Sequence, residues 1–324
     1  MQGRIYVLLI FFIDRGSKSG QRSGKVGVYH ITSRIAHKEF LLDNDEKSIF
    51  VNIMRRAAVF SGVEILTYCI MSNHFHILVR VPKREEIDDN TLLQRVRVLY
   101  GEEKFEKLLM QFKQWEDCNL QVRIDETLAK FRERMYDISE FAKTLKHYAS
   151  NSYNKRNKHE GTLWSGRFSS TIVEDNQKTL MAVGAYIDLN PVRAKMVDHP
   201  GQYAWSGFGA AQIGSDTARE GLQNMLHDKS WKNACQEYGE YLTSALSYDT
   251  KSKAHIRQLM RSHRIAYFTK GAVIGSADFV LRVYEEHYMQ NNQKRPKAAP
   301  FRNMQNEGLS ALRDIRLNAV TPSS

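Results

Sequence analysis

The segment Cys69-Ile70-Met71-Ser72-Asn73-His74-Phe75-His76-Ile77-Leu78-Val79-Arg80-Val81 constrains this chain more than any other. Two short apolar runs rich in bulky and β-branched residues meet at a tight turn over Met71 to Asn73, the pattern of a β-hairpin. Side chains alternate along a strand, so His74 and His76 project on one face while Phe75 and Ile77 pack on the other. Two neighbouring imidazoles at the start of a strand form half of a divalent-metal site. An isolated His-x-His is more often a pair of half-exposed strand-end histidines, so the function must come from elsewhere in the chain.

A second feature lies more than a hundred residues downstream, in Tyr186-Ile187-Asp188-Leu189-Asn190-Pro191-Val192-Arg193-Ala194. The spacing predicts a helix over Lys178 to Asn190, with Leu180, Val183, Ile187 and Leu189 as its apolar positions and Asn176 or Asp175 as its cap. Pro191 disfavours helical geometry at Asn190 and so predicts the helix end there. Tyr186 and Asn190, four apart, share one helix face. A phenol with an amide one turn further along suits the histidine pair, the amide as a third metal ligand. The plainer reading is a core tyrosine before a helix-ending Asn-Pro.

Taken in order, Tyr29-His30-Ile31-Thr32-Ser33-Arg34, Met71 to His76, Gly161-Thr162-Leu163-Trp164-Ser165-Gly166-Arg167-Phe168, Tyr186 to Ala194 and Tyr203-Ala204-Trp205-Ser206 resemble the HUH single-tyrosine, IS200-like transposases, in particular their REP-associated branch. The resemblance covers roughly residues 26 to 210. It implies a metal-dependent single-strand DNA endonuclease and strand transferase acting at hairpin, REP-like palindromic DNA through a covalent 5′-phosphotyrosine. Tyr186 is then the nucleophile, and His74, His76 and Asn190 hold Mg²⁺ or Mn²⁺. Where the family often has glutamine as third ligand, this chain has asparagine, as in the REP-associated branch. Tyr148 and Tyr153 are rival nucleophiles, but neither has an amide partner and an Asn-Pro of this kind. The resemblance leaves monomer and homodimer both open.

The periodicity predicts strands over Val26–Arg34, Val63–Ile70, His76–Val81 and Phe168–Val173, and a helix over Asp45–Ser61 built on Ile49, Ile53, Val59 and Phe60. With a further helix over Ile138–Tyr153, the order is that of an α+β, ferredoxin-like split βαβ sandwich: an antiparallel sheet with helices on one face. The resemblance puts the metal site on the other. Residues 91–135 carry helical periodicity beyond that plan and read as a helical insertion. The chain divides into an N-terminal extension (1–25), the catalytic domain (26–210), a helical C-terminal region with a possible DNA-binding role (211–290) and a basic, disordered tail (291–324).

Net charge is +11, which biases the partner toward a polyanion. From Arg132 to Arg167 eight Lys or Arg face four acidic residues, with aromatics interleaved. Cations grip phosphates and aromatic faces stack on bases, so Arg34, Lys143, Lys146, Tyr153, Lys155, Arg156, Lys158, Trp164, Arg167 and Arg193 are the candidate DNA contacts. An ordinary solvated basic face is the competing reading. His30 and Arg167 are candidates for supporting either the phosphate or the fold.

Cys69, Cys118 and Cys235 are widely spaced, which points to a reducing compartment rather than a disulfide framework or zinc knuckle. The apolar run Ile5–Ile13 is too short to span a bilayer and reads as an extension outside the fold. A cytoplasmic, nucleoid-associated protein with no membrane partner is expected. Two other functions remain as alternatives: a domesticated hairpin-DNA-binding protein with little cleavage, and an HUH relaxase or replication initiator. The relaxase reading is disfavoured by the single tyrosine beside an amide ligand.

Overall fold

The computed structural model describes residues 26–251 and the short pieces 273–276, 278–280, 282–283, 299–300 and 310–311. The extension 1–25, residues 252–272 and most of the tail 291–324 lie outside the described residues. Four strands form the centre of the molecule: β1 (Gly27–Arg34), β2 (Glu64–Ile70), β3 (His74–Val81) and β4 (Ser169–Val173). Their spatial order is β2-β3-β1-β4 with every neighbour antiparallel. This is the split βαβ order expected from the sequence. Thr32 lies opposite His76, and Cys69 opposite His76 on the other side, so the register sets what surrounds that histidine.

The period-2 alternation sorts the two faces. Phe75 packs at 5.2 Å from Phe50 of α1 (Asn44–Ser61) and at 5.5 Å from Trp164, which makes this the face that α1 covers. Helix α1 starts where Asp43 accepts a hydrogen bond from the Glu46 amide at 2.8 Å. It stops at Gly62, whose left-handed φ of 66° a side chain would strain. Helix α5 (Ile138–Asn157) lies beside it, completing the helix pair of the βαββαβ unit. The insertion is helical as expected: α2 (Asp89–Tyr100), α3 (Glu102–Asp117) and α4 (Gln121–Glu133), with α2 docked on α1. One apolar position departs from expectation, since Val59 faces solvent at 49% exposure.

Helices also cover the opposite face of the sheet. Helix α6 (Gln177–Asp188) is capped by Asn176, which accepts from the Thr179 amide at 2.9 Å, and it contacts β2 and β3. Its sequence is apolar nearly all round and it is buried from Thr179 to Asp188, as such a helix must be. Leu189 interrupts it, and Pro191 then sits in the first turn of α7 (Asn190–Arg193) instead of ending helical structure outright. Helices α8 (Gly207–Gln212), α9 (Asp216–Leu226) and α10 (Trp231–Lys251) follow.

Beyond residue 210, α9 packs on β2 and α6, and α10 packs on α6 and α9. Gly221 of α9 lies so close to β2 that a Cβ would meet the Ile65 carbonyl oxygen, with the Leu66 oxygen at 2.9 Å. A short strand follows these helices. Val273–Ile274 forms β5, parallel to β4, and the Glu174 carboxylate accepts from the Ser276 hydroxyl at 2.8 Å. Ser276 also caps the following turn by accepting from the Phe279 amide at 3.1 Å. Within the tail expected to be disordered, β6 (Ala299–Pro300) pairs with β7 (Ser310–Ala311). Among the described residues no helix is long and apolar enough to cross a membrane.

Candidate active site

Three histidines and one tyrosine meet on the sheet face under α6. His74 and His76 project together from β3, their ring centroids 5.1 Å apart. His30 of β1 joins them: its Nε2 lies 3.0 Å from His76 Nδ1, and the two rings stack at 5.2 Å. Tyr186 of α6 sets its ring edge-on to His76 at 5.6 Å and to His30 at 6.0 Å. The two motifs singled out in the sequence are therefore brought together in space.

Burial shapes the protonation of this cluster. His76 is 2% exposed, and desolvation, reinforced by His30, His74, Arg34 and Arg193, holds its pKa well below the usual histidine value. His74 is lowered to about 4, by desolvation and then by the Arg34 guanidinium. Both rings are therefore neutral at physiological pH, the state in which imidazole binds a metal. Tyr186 is raised to about 12 by desolvation, with Arg193 and Arg34 pulling the other way. The Arg193 guanidinium lies 5.5 Å from the tyrosine ring centroid and donates to the Tyr186 carbonyl at 2.9 Å.

The donor set fits a divalent ion. His74 Nδ1 donates to Asn73 Oδ1 at 2.6 Å, which leaves the Nε2 lone pair for a ligand. His76 Nδ1 meets His30 in the same way, so its Nε2 is free when Nδ1 carries the shared proton. Tying the distal nitrogen in this manner is how metal-binding histidines are oriented. Asn190 turns its amide nitrogen to the Tyr186 and Ile187 carbonyls at 2.8 and 3.2 Å, so Oδ1 is its remaining donor atom. Among the described residues no three His, Cys, Asp or Glu side chains converge as a complete ligand set. An ion here therefore needs the amide oxygen or oxygens from DNA and water.

Asp188 fastens α6 in place. Wholly buried, its carboxylate accepts from Thr67 Oγ1 at 2.8 Å, Tyr238 Oη at 2.8 Å and the Phe208 amide at 2.9 Å. Those partners come from β2, α10 and α8, so one side chain fixes the helix that carries Tyr186 against three elements.

The candidate DNA contacts divide. Arg34 is exposed at the end of β1, opposite His74 in the register, and acts electrostatically on His74, His76 and Tyr186. Arg193 is beside the tyrosine, and Arg167, Lys155 and Lys158 are exposed. Lys143 pairs with Glu140 at 3.2 Å and Arg156 with the nearly buried Glu46 at 3.0 Å. Lys146 donates to the Gly166 carbonyl at 2.5 Å and is lowered to about 8 by burial.

Two expectations are corrected. Trp164 is 7% exposed, wedged against Phe50 and Phe75, and Tyr153 is 8% exposed against His159. Both serve the core, and neither offers a face to a base. The rival nucleophiles lie against other rings: Tyr148 packs edge-on to Tyr100 at 6.3 Å and Tyr153 to His159 at 5.6 Å, whereas Tyr186 sits edge-on to His30 and His76.

Sequence reasoning left two residues without a role and a third with only a general one. His30 was a generic supporting candidate; Asn73 and Asp188 were not singled out although both stand inside quoted motifs. The signal for His30 was its place on a strand that must neighbour β3, where same-face positions meet.

Comparison with known proteins gives a family match to the transposases described as IS200 like, over residues 25–120. No curated protein matches the chain. Among solved structures it is similar to one described as a REP-associated tyrosine transposase bound to a REP hairpin, with 14% identity and a TM-score of 0.34, covering 63% of this chain and 90% of that one.

Proposed function

We propose that this chain, which carries an IS200-like transposase domain over residues 25–120, cuts and rejoins single-stranded DNA through Tyr186. The substrate is hairpin-bearing, REP-like palindromic DNA. The observation that carries the reading is the Tyr186 ring lying edge-on to His76 at 5.6 Å, with the Arg193 guanidinium 5.5 Å from it.

Cutting a strand without external energy and rejoining it later requires that the phosphodiester be stored as another ester. Tyr186 Oη attacks the scissile phosphorus. The P–Oη bond forms, the P–O3′ bond breaks, the phenolic proton leaves to solvent and the departing oxygen takes up a proton as a 3′-hydroxyl. Attack by another 3′-hydroxyl reverses the sequence and seals a strand. A divalent ion, Mg²⁺ or Mn²⁺, held by His74 Nε2, His76 Nε2 and Asn190 Oδ1, would supply Lewis-acid polarisation of the phosphate.

The protein's own groups do the remaining work. Arg193 and Arg34 offset phosphate charge and favour the phenolate, against a desolvation that holds the tyrosine at about 12. His30 and Asn73 hold the two imidazoles in a fixed orientation through their Nδ1 atoms.

One observation favours binding without cleavage: Tyr186 is only 9% exposed. A single assay separates the two readings. Labelled hairpin-containing single strands are incubated with Mn²⁺ and wild type or Tyr186→Phe, then run on native and denaturing gels. A denaturant-resistant protein–DNA adduct lost in the variant is expected. Shifted bands with no adduct from the wild type overturn the cleavage reading in favour of a DNA-binding protein.

A further inference from the structure

On a loop tied to the turn that precedes His74, the chain presents an aromatic side chain that the fold does not use. Phe40 is 78% exposed, more than any other large hydrophobic among the described residues. Its exposure does not come from a loose loop. On one side the Asn73 side-chain amide donates to the Lys38 carbonyl at 3.3 Å, and on the other the Leu42 amide donates to the Ser72 carbonyl at 3.0 Å. Leu42 is itself 3% exposed, an anchor in the core. The loop is thus fastened at both ends to the turn that leads into β3, with Phe40 between the two ties.

The same turn carries the histidine. Asn73 bridges the two: its amide nitrogen holds Lys38, and its amide oxygen accepts from His74 Nδ1 at 2.6 Å. Upstream, His37 and Lys38 both adopt left-handed φ, 55° and 62°, unusual for two consecutive non-glycine residues. Strain of this kind persists where surrounding structure enforces it, often at ligand sites. Arg34, His37 and Lys38 are exposed on the same stretch, with Glu39 as its acid.

We propose that Phe40 is a stacking platform for an unpaired DNA base next to the scissile phosphate, with Arg34 and Lys38 on the adjoining backbone. The proposal rests on the single-strand cleavage reading above and adds a contact to it. A protein partner is the less favoured occupant, because a lone ring among cations matches a base with its phosphates better than an apolar surface. Every base offers a π face, so this contact supports affinity and placement with little sequence preference.

The test is anisotropy titration, without divalent metal, of labelled hairpin oligonucleotides that carry a single abasic site at each successive unpaired position. Wild type is expected to lose roughly 5- to 160-fold in affinity at one position, the factor that about 1–3 kcal/mol per stacked base corresponds to. Phe40→Ala should show that loss on the intact strand and no further loss at that abasic site, while Phe40→Trp restores both. An unchanged abasic profile in Phe40→Ala, with the wild type still forming its Tyr186 adduct, overturns the stacking role alone. A wild-type dimer that becomes a monomer in Phe40→Ala makes the ring a protein contact and also overturns it. Wild type that neither binds these strands nor forms an adduct overturns both readings.

Discussion

Asp188 offers a quantitative test of how the tyrosine helix is held. Burial raises its carboxyl pKa from 3.8 to about 6 despite hydrogen bonds from Phe208, Thr67 and Tyr238 that stabilise the charged form. A folded-state pKa above the unfolded value means that the folded protein binds this proton more tightly. The associated stability is therefore fully present below about pH 4 and is lost as pH rises through 6. At about 1.36 kcal/mol per unit, the shift corresponds to a loss of roughly 3 kcal/mol between those limits. That is a large share of the 5–15 kcal/mol typical of a folded protein. Asp188→Asn keeps the shape and removes the titration. Urea unfolding of both proteins, followed by tryptophan fluorescence from pH 4.5 to 7.5, gives a difference curve from which all other titrating groups cancel. Wild type should lose stability relative to Asp188→Asn across pH 4.5 to 6.5 and run parallel to it above 7. A flat difference curve refutes the reasoning, because it means Asp188 has the same pKa folded and unfolded.

Two further outcomes follow from single contacts. His30→Ala, which strips His76 Nδ1 of its partner, is expected to weaken Mn²⁺ binding by roughly 10- to 100-fold in calorimetry, with His30→Gln recovering part of it; unchanged Mn²⁺ affinity in His30→Ala would show that the ring pairing does not orient a ligand. Gly221→Ala gains about 1 kcal/mol of helix propensity yet drives a methyl into the β2 backbone, a clash worth about 1–3 kcal/mol or more where a carbonyl must move. A fall in Tm of a few degrees is expected by calorimetry, and an unchanged or higher Tm means α9 can lift off β2 without cost.

Local pattern was enough for the sheet and for the two key motifs. Alternation in Cys69–Val81 placed both histidines on one face, and four-residue spacing linked Tyr186 to Asn190. The aromatics in the basic stretch misled because charge was given more weight than period. Phe141, Leu145, Ala149 and Tyr153 recur every four residues on α5, and all four are buried. Tyr153 continues that apolar stripe, while the lysines between occupy the wet side of the same helix. Trp164 shows the same error in a loop: its indole N–H donates to the Lys146 carbonyl at 3.0 Å, and its ring fills the core beneath.

What stayed illegible is what depends on distant pairing. His30 meets His76 only through the β1–β3 register, and β5 finds β4 across a hundred residues with two-residue pairing. Neither leaves a mark within a short window of sequence. The buried carboxylate shows why the motif around Tyr186 has a double task. Tyr186 faces the histidines on one side of α6, while two residues on Asp188 reaches Thr67, Phe208 and Tyr238. Successive helical positions point about 100° apart, so residues two apart address nearly opposite surroundings. One short segment thereby offers a phenol to the histidines on the sheet and a buried anchor to the helices behind it. A change at the anchor should misplace the phenol even though it touches no part of the chemistry.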